Sequence, residues 1–197
     1  MSPKTPKKIV GLSTNQKTLK RVLDVVLSIT LIPIFILPIG VLIIAASIDT
    51  KGVGLFFQNR VGQYGKVFTI IKIRTFNETG EVSKYSAIIR KYKLDELSQL
   101  WNVLIGDMSL VGPRPNVKRE TDLYTSEEKF LLKVKPGITD FSSIVFSDEG
   151  DILKDHSDPD IAYNQLIRPG KSMLGIFYII HRNFLIDINI TIFLRIQ

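Results

Sequence analysis

The stretch from Val25 to Ile48 contains no charged residue, and no other feature limits the fold of this chain as strongly. At about 1.5 Å per residue, a helix over those positions exceeds a hydrocarbon core about 30 Å thick. The simplest reading is a spanning membrane helix. Ala45-Ala46-Ser47 resembles a signal-peptide cleavage site, but the apolar run is well beyond the usual ~7 to 15 residues. Pro33 and Pro38 complicate a straight span, because each removes a helical hydrogen bond and bends the chain near its midpoint. The freed carbonyls then need partners, for which Ser28 and Thr30 stand one turn earlier. Before this run, Lys4, Lys7, Lys8, Lys17, Lys20 and Arg21 precede the first acid, Asp24, the profile of an arm beside anionic lipid or of a solvated basic tail. If the run spanned, the positive-inside rule would hold that arm in the cytoplasm and export the remainder of the chain.

At 197 residues the chain is one ordinary domain with additions, large enough to bury a core. A net charge of +7 favours anionic partners: phosphates, acidic lipid headgroups or nucleic acid. The absence of cysteine excludes a disulfide scaffold and thiolate metal sites. Neither histidine has a neighbouring base, nucleophile or metal-ligand spacing. No repeat, P-loop, dinucleotide fingerprint or zinc spacing occurs, and a nucleic-acid reading rests on charge alone.

The stretch richest in chemistry runs from Leu94 to Pro115. Apolar Leu94, Leu97, Leu100, Trp101 and Leu104 fall at helical spacing and Gly106 stands where the helix can end, so Asp95 and Glu96 open an amphipathic helix. Acids there suit the helix dipole and Asp is a favoured N-cap, which is a purely structural role. A functional role is also open, since adjacent helical residues diverge and can do different work. Pro113 and Pro115 flank Arg114, holding its backbone extended and stiff for bidentate phosphate contact.

Elsewhere, 56–62 and 65–76 read as two short strands around a glycine-bearing turn. A polar loop over 77–86 leads to a short helix at 87–91, and Thr125 to Glu128 form a capping box ahead of a helix that Pro136-Gly137 stops. The apolar runs 174–180 and 184–196, too short and interrupted to span, read as core or interfacial helices.

Taken together, Leu94-Asp95-Glu96-Leu97, Gln99-Leu100, Asn102-Val103-Leu104 and Gly106-Asp107-Met108-Ser109-Leu110-Val111-Gly112-Pro113-Arg114-Pro115 resemble the signature of the bacterial sugar transferases, the monotopic phosphoglycosyl transferases. Lys72-Ile73-Arg74-Thr75-Phe76, Lys135-Pro136-Gly137-Ile138-Thr139, Tyr178 and Phe184-Leu185-Ile186-Asp187 continue the pattern. The resemblance implies a mostly helical α/β (α+β) catalytic domain with a short β-hairpin over 51–197, a basic arm over 1–24, and a re-entrant helix-break-helix over 25–50 with Pro38 at the break. Monotopic attachment to the cytoplasmic face of a bacterial inner membrane follows, where a nucleotide sugar is available. It further implies Asp95 as nucleophile, Glu96 as the ligand of Mg²⁺, and Arg90, Arg114, Lys72 and Arg74 as phosphate contacts. The substrates implied are a UDP-sugar and polyprenyl (undecaprenyl) phosphate, with membrane lipid as partner, no nucleic acid, and a homodimer left open. Three positions depart from the pattern: Ser98 replaces a usual Pro, Asp140 a usual Gly, and Gly175 a usual Asp.

Overall fold

The computed structural model describes residues 12–146, 152–153 and 158–193; Lys4, Lys7, Lys8 and residues 194–197 lie outside them. The apolar run forms part of one helix, α1 (Thr14–Thr50), which begins well before the charge-free stretch. Ser13 caps it by accepting from the Gln16 amide, while the Gln16 side chain accepts from the Ser13 amide. With a window of mean hydropathy 2.7, α1 is long and apolar enough to cross a membrane. The interruption expected at Pro38 is not present: α1 continues through Pro33 and Pro38 as one element. A proline costs one hydrogen bond and bends a long helix without having to end it. The hydroxyls do not serve the freed carbonyls either. Thr30 donates to Val26 O, and Ser28 Oγ is buried without a partner.

Both ends of α1 are fastened to the rest of the molecule through polar side chains. At the N-terminal end Lys20 Nζ pairs with Asp187 at 2.5 Å, Arg21 donates to Val103 O at 2.6 Å and Leu104 O at 2.8 Å, and Asp24 accepts from Leu110 N at 3.1 Å. At the C-terminal end Asp49 accepts from the hydroxyls of Ser83 and Ser86, each at 2.7 Å.

The expected hairpin is present as β1 (Leu55–Val61) and β2 (Val67–Ile73), antiparallel with Leu55 opposite Ile73 and Val61 opposite Val67. The 77–86 loop is shorter than expected, because Ser83 caps α2 (Lys84–Lys91). A 3₁₀ helix, Leu94–Gln99, then runs into α3 (Leu100–Ile105), which ends at Gly106 with φ 98°. Neither acid caps this element, since Lys93, left-handed at φ 54°, occupies the N-cap. Asp95 and Glu96 instead form its first turn.

A second sheet was not foreseen: β3 (Ser109–Val111) pairs in parallel with β4 (Gly137–Thr139). Strands of three residues are too short to show an alternating pattern. Glycine is required where these strands continue, because a Cβ on Gly137 would sit 2.1 Å from Gly112 N. Between them lie α4 (Lys118–Thr121) and a 3₁₀ helix, Glu128–Lys133, with the predicted capping box formed by Thr125 and Glu128. After β4 come α5 (Phe141–Val145), α6 (Pro159–Ala162), a π turn, α7 (Arg168–His181) and α8 (Phe184–Phe193). The chain is therefore mostly helical with small sheets, as the α+β expectation has it.

Two apolar clusters hold these pieces. Phe68, Ile70, Val103 and Met108 join β2 to α3, while Val111, Val134, Tyr178, Ile179 and Ile190 join β3 to α7 and α8, with Leu110 packed against both. The polar link between β2 and α3 is Asn102, which donates to Thr69 O at 2.7 Å and accepts from Ile71 N at 3.1 Å. Asn102→Ala removes both bonds and leaves these part-buried backbone groups without them. We expect it to destabilise the protein by about 2–4 kcal/mol, read as a lower thermal midpoint in detergent; an unchanged midpoint would contradict this role.

Candidate active site

Three backbone decisions assemble the site. The left-handed Lys93 turns the chain after α2, so the acids enter the next element in its first turn. Asn102 registers that element against β2, which brings Lys72 alongside. The Pro113-Arg114-Pro115 strap is fastened on two sides, by Gly137 N to Pro113 O at 3.1 Å and by Val61 N to Asn116 O at 2.9 Å. Arg114 is thereby presented to the same carboxylates.

Glu96, 5% exposed, accepts on Oε1 from Lys72 Nζ at 2.9 Å and Arg114 Nη2 at 2.8 Å. Lys72 Nζ also lies 3.7 Å from Asp95 Oδ2. The two neighbouring acids respond in opposite senses. Burial opposes the charge on Glu96, but Arg114 and Lys72 outweigh it through charge and hydrogen bonds and hold the carboxyl at about 2. At Asp95 burial prevails over Lys72, and the neighbouring Glu96 charge adds to it, so this carboxyl is raised above its ordinary range. Glu96 is thus held as an anion, and Asp95 is the more basic of the pair.

Of the residues singled out in the sequence, Lys72, Asp95, Glu96 and Arg114 come together. Arg74 lies two residues beyond Lys72, just past the end of β2 and beside Gly52, with Nε buried and unpartnered. Arg90 is exposed on α2, and no hydrogen bond or ion pair joins it to the two acids. Sequence reasoning left Asn102 without a role. Arg60 donates to Pro115 O at 3.3 Å and its cation is weakened by burial and by nearby Arg114. A clue to Asn102 was available, since an amide on an otherwise apolar helix face needs buried partners.

Among the described residues no group of three or more His, Cys, Asp or Glu could hold a metal ion. Asp95 and Glu96 remain as adjacent hard oxygen donors. Such a pair fits Mg²⁺, which prefers one or two carboxylates and takes its other ligands from waters and substrate phosphates.

Residues 15–194 match the family model described as bacterial sugar transferase. The chain is 34% identical over 146 residues to the UDP-N-acetylgalactosamine-undecaprenyl-phosphate N-acetylgalactosaminephosphotransferase of Aeromonas hydrophila, a match covering 64% of this chain and 34% of that protein. It is 36% identical over 141 residues to the UDP-glucose:undecaprenyl-phosphate glucose-1-phosphate transferase of Caulobacter vibrioides, covering 64% and 53%. A third relative, a putative undecaprenyl-phosphate N-acetylgalactosaminyl 1-phosphate transferase of Bacillus subtilis, is 36% identical over 134 residues, covering 61% and 71%. The chain thus spans about a third of the first relative and half of the second. With residues 15–194 of the 197 matching the family model and the Asp95-Glu96 pair set against Lys72 and Arg114, the chain belongs to the bacterial sugar transferase family.

Proposed function

We propose that this protein is a phosphoglycosyl transferase that moves a phospho-sugar from a UDP-sugar to a polyprenyl phosphate at the cytoplasmic face of a bacterial inner membrane, the first membrane step of glycoconjugate assembly. The observation that carries the reading is the pair of adjacent buried acids, Glu96 held by Lys72 at 2.9 Å and Arg114 at 2.8 Å, with Asp95 beside it 3.7 Å from the same lysine. In the first half-reaction an Asp95 carboxylate oxygen attacks the phosphorus bearing the sugar. An acyl-phosphate bond forms, the bond to the bridging oxygen breaks, and UMP leaves. In the second, an oxygen of the polyprenyl phosphate attacks the same phosphorus and releases Asp95. Arg114 and Lys72 offset the charge gathered on the phosphate oxygens. Mg²⁺ held through Glu96, when bound, supplies further neutralisation of the diphosphate.

The membrane placement rests on α1. Between Arg21 and Gly54 a straight helical path would be about 50 Å long. The anchors of its two ends are closer than that: Arg21 grips α3 beside Asn102, which bonds at Thr69 and Ile71 on β2, and Gly54 O accepts from Arg74 N, the residue that follows β2. Thr69 to Arg74 covers about 17 Å. A chain whose two ends return to one strand suits a helix that enters a leaflet, bends at Pro33 and Pro38, and comes back. Exposed Phe184, Leu185 and Ile188 on α8 add an apolar surface suited to the interface.

Asp95→Asn is expected to abolish transfer, with kcat at least about 10³-fold lower, and also to abolish exchange of labelled UMP into the UDP-sugar without polyprenyl phosphate. Exchange that persists in this variant would overturn the covalent scheme. A raised Asp95 means that activity falls on acidification at a higher pH than an ordinary aspartate would set, with Glu96 still ionised. Lys72 lowers the Asp95 value, so Lys72→Met should move the acid limb of the kcat/KM profile to still higher pH. A limb that stays in place would dissociate Lys72 from Asp95.

A further inference from the structure

Two of the departures singled out in the sequence, Asp140 and Gly175, meet at one place. On the far side of the Pro113-Arg114 strap lies a shallow polar cleft lined by Arg114, Asn116, Asp140, Ser142, Tyr163 and Lys171, among others. Asp140 caps α5, with φ −157°, an extended conformation open to any residue. Its Oδ1 accepts from Ser142 Oγ, Ser143 N and Ser143 Oγ, whereas Oδ2 accepts only the shared Ser142 hydroxyl at 2.7 Å. A carboxylate oxygen takes two donors, so Oδ2 retains accepting capacity in a wall of the cleft.

Gly175, on α7, stands behind two other lining residues, Leu131 and Pro113. A Cβ there would come within 2.7 Å of Leu131 Cδ2 and 3.6 Å of Pro113 Cβ, and both Leu131 and Pro113 line the cleft. The bare glycine lets that part of the lining recede. A side chain at this position would displace Leu131 and narrow the opening. The space is small, about 20 Å³, the room of roughly one water. It admits a hydroxyl and not a sugar ring.

Resting on the function proposed above, we propose that Asp140 reads one hydroxyl of the donor sugar while the phosphate bearing that sugar is held at Arg114. Arg114 joins the two places: Nη2 engages Glu96, and the side chain also borders the cleft. A hydroxyl inserted there donates to Asp140 Oδ2, and an epimer or deoxy sugar lacking it leaves that buried oxygen with the shared Ser142 hydroxyl alone. Sites that hydrogen-bond a substrate hydroxyl reject analogues lacking it far more strongly than apolar pockets reject a change in size. Asp140 and Gly175 are then specificity-determining positions, and their identities set which UDP-sugar this chain prefers.

The test uses the full chain in detergent with Mg²⁺, polyprenyl phosphate and a panel of UDP-hexoses that includes epimers and deoxy analogues, with UDP binding measured separately by calorimetry. Asp140→Asn keeps the helix cap, because Asn caps as well as Asp, and removes the charged acceptor. Gly175→Ala favours the helix and moves only the end of Leu131. We expect each variant to lower kcat/KM for the preferred donor about 10- to 100-fold, to change little for donors lacking the critical hydroxyl, and to bind UDP as wild type does. An unchanged ranking of donors overturns the proposal. So does an equal loss for all donors with weakened UDP binding, which assigns the cleft to the nucleotide or to structure. Should wild type bind UDP and transfer from no donor, the proposed function itself falls, and this assignment with it.

Discussion

A single carboxylate oxygen, Glu96 Oε1, accepts both Lys72 and Arg114, and the arrangement of the site depends on that shared contact. A buried anion is tolerated only when cations and hydrogen bonds replace the water it has lost. Glu96 draws its two cations from different parts of the chain, Lys72 from the hairpin and Arg114 from the strap after β3. Removing either leaves a buried charge under-compensated. The same contact explains why the neighbouring acid differs: Lys72 lies nearer Glu96 than Asp95, at 2.9 Å against 3.7 Å, and Asp95 is left with burial as its stronger influence.

The long helix α1 is part of this arrangement as well as a hydrophobic segment. Arg21 occupies carbonyls at the end of α3, the helix that continues from the 3₁₀ turn bearing the two acids, and Asp24 holds Leu110 in the middle of β3, which leads to Arg114. Cationic groups suit a helix C-terminus on dipole grounds. Lys20 and Arg21, just before the apolar run, therefore have folded partners in addition to any lipid they meet. Tyr178 extends the same connection, donating to Asp187, the partner of Lys20.

How much of this could be read from the sequence depended on how local each cause was. The hairpin, the capping box at Thr125 and Glu128, and the end of α3 at Gly106 are written in neighbouring residues, and each formed. The gathering of Lys72, Asp95, Glu96 and Arg114 was reached through the family pattern, because no periodicity reports that a strand and a strap converge on a helix. What the sequence missed was long-range or conformational: the left-handed Lys93, the parallel β3–β4 pair, and the continuation of α1 through Pro38. The departures proved locally explicable. Ser98 donates to Ile71 O at 2.9 Å, and Asp140 is a helix cap, so neither disturbs the acids.

The most direct test of the central claim, that Asp95 is a nucleophile kept basic beside a fixed Glu96 anion, is the intact mass of the detergent-purified protein after incubation with Mg²⁺ and a UDP-sugar, without polyprenyl phosphate. The account predicts a mass increase equal to one phospho-sugar, mapping to Asp95 and discharged when polyprenyl phosphate is added. Multiple-turnover UMP release that requires polyprenyl phosphate, with no adduct at any time, would contradict it and would point to direct transfer between the two bound substrates.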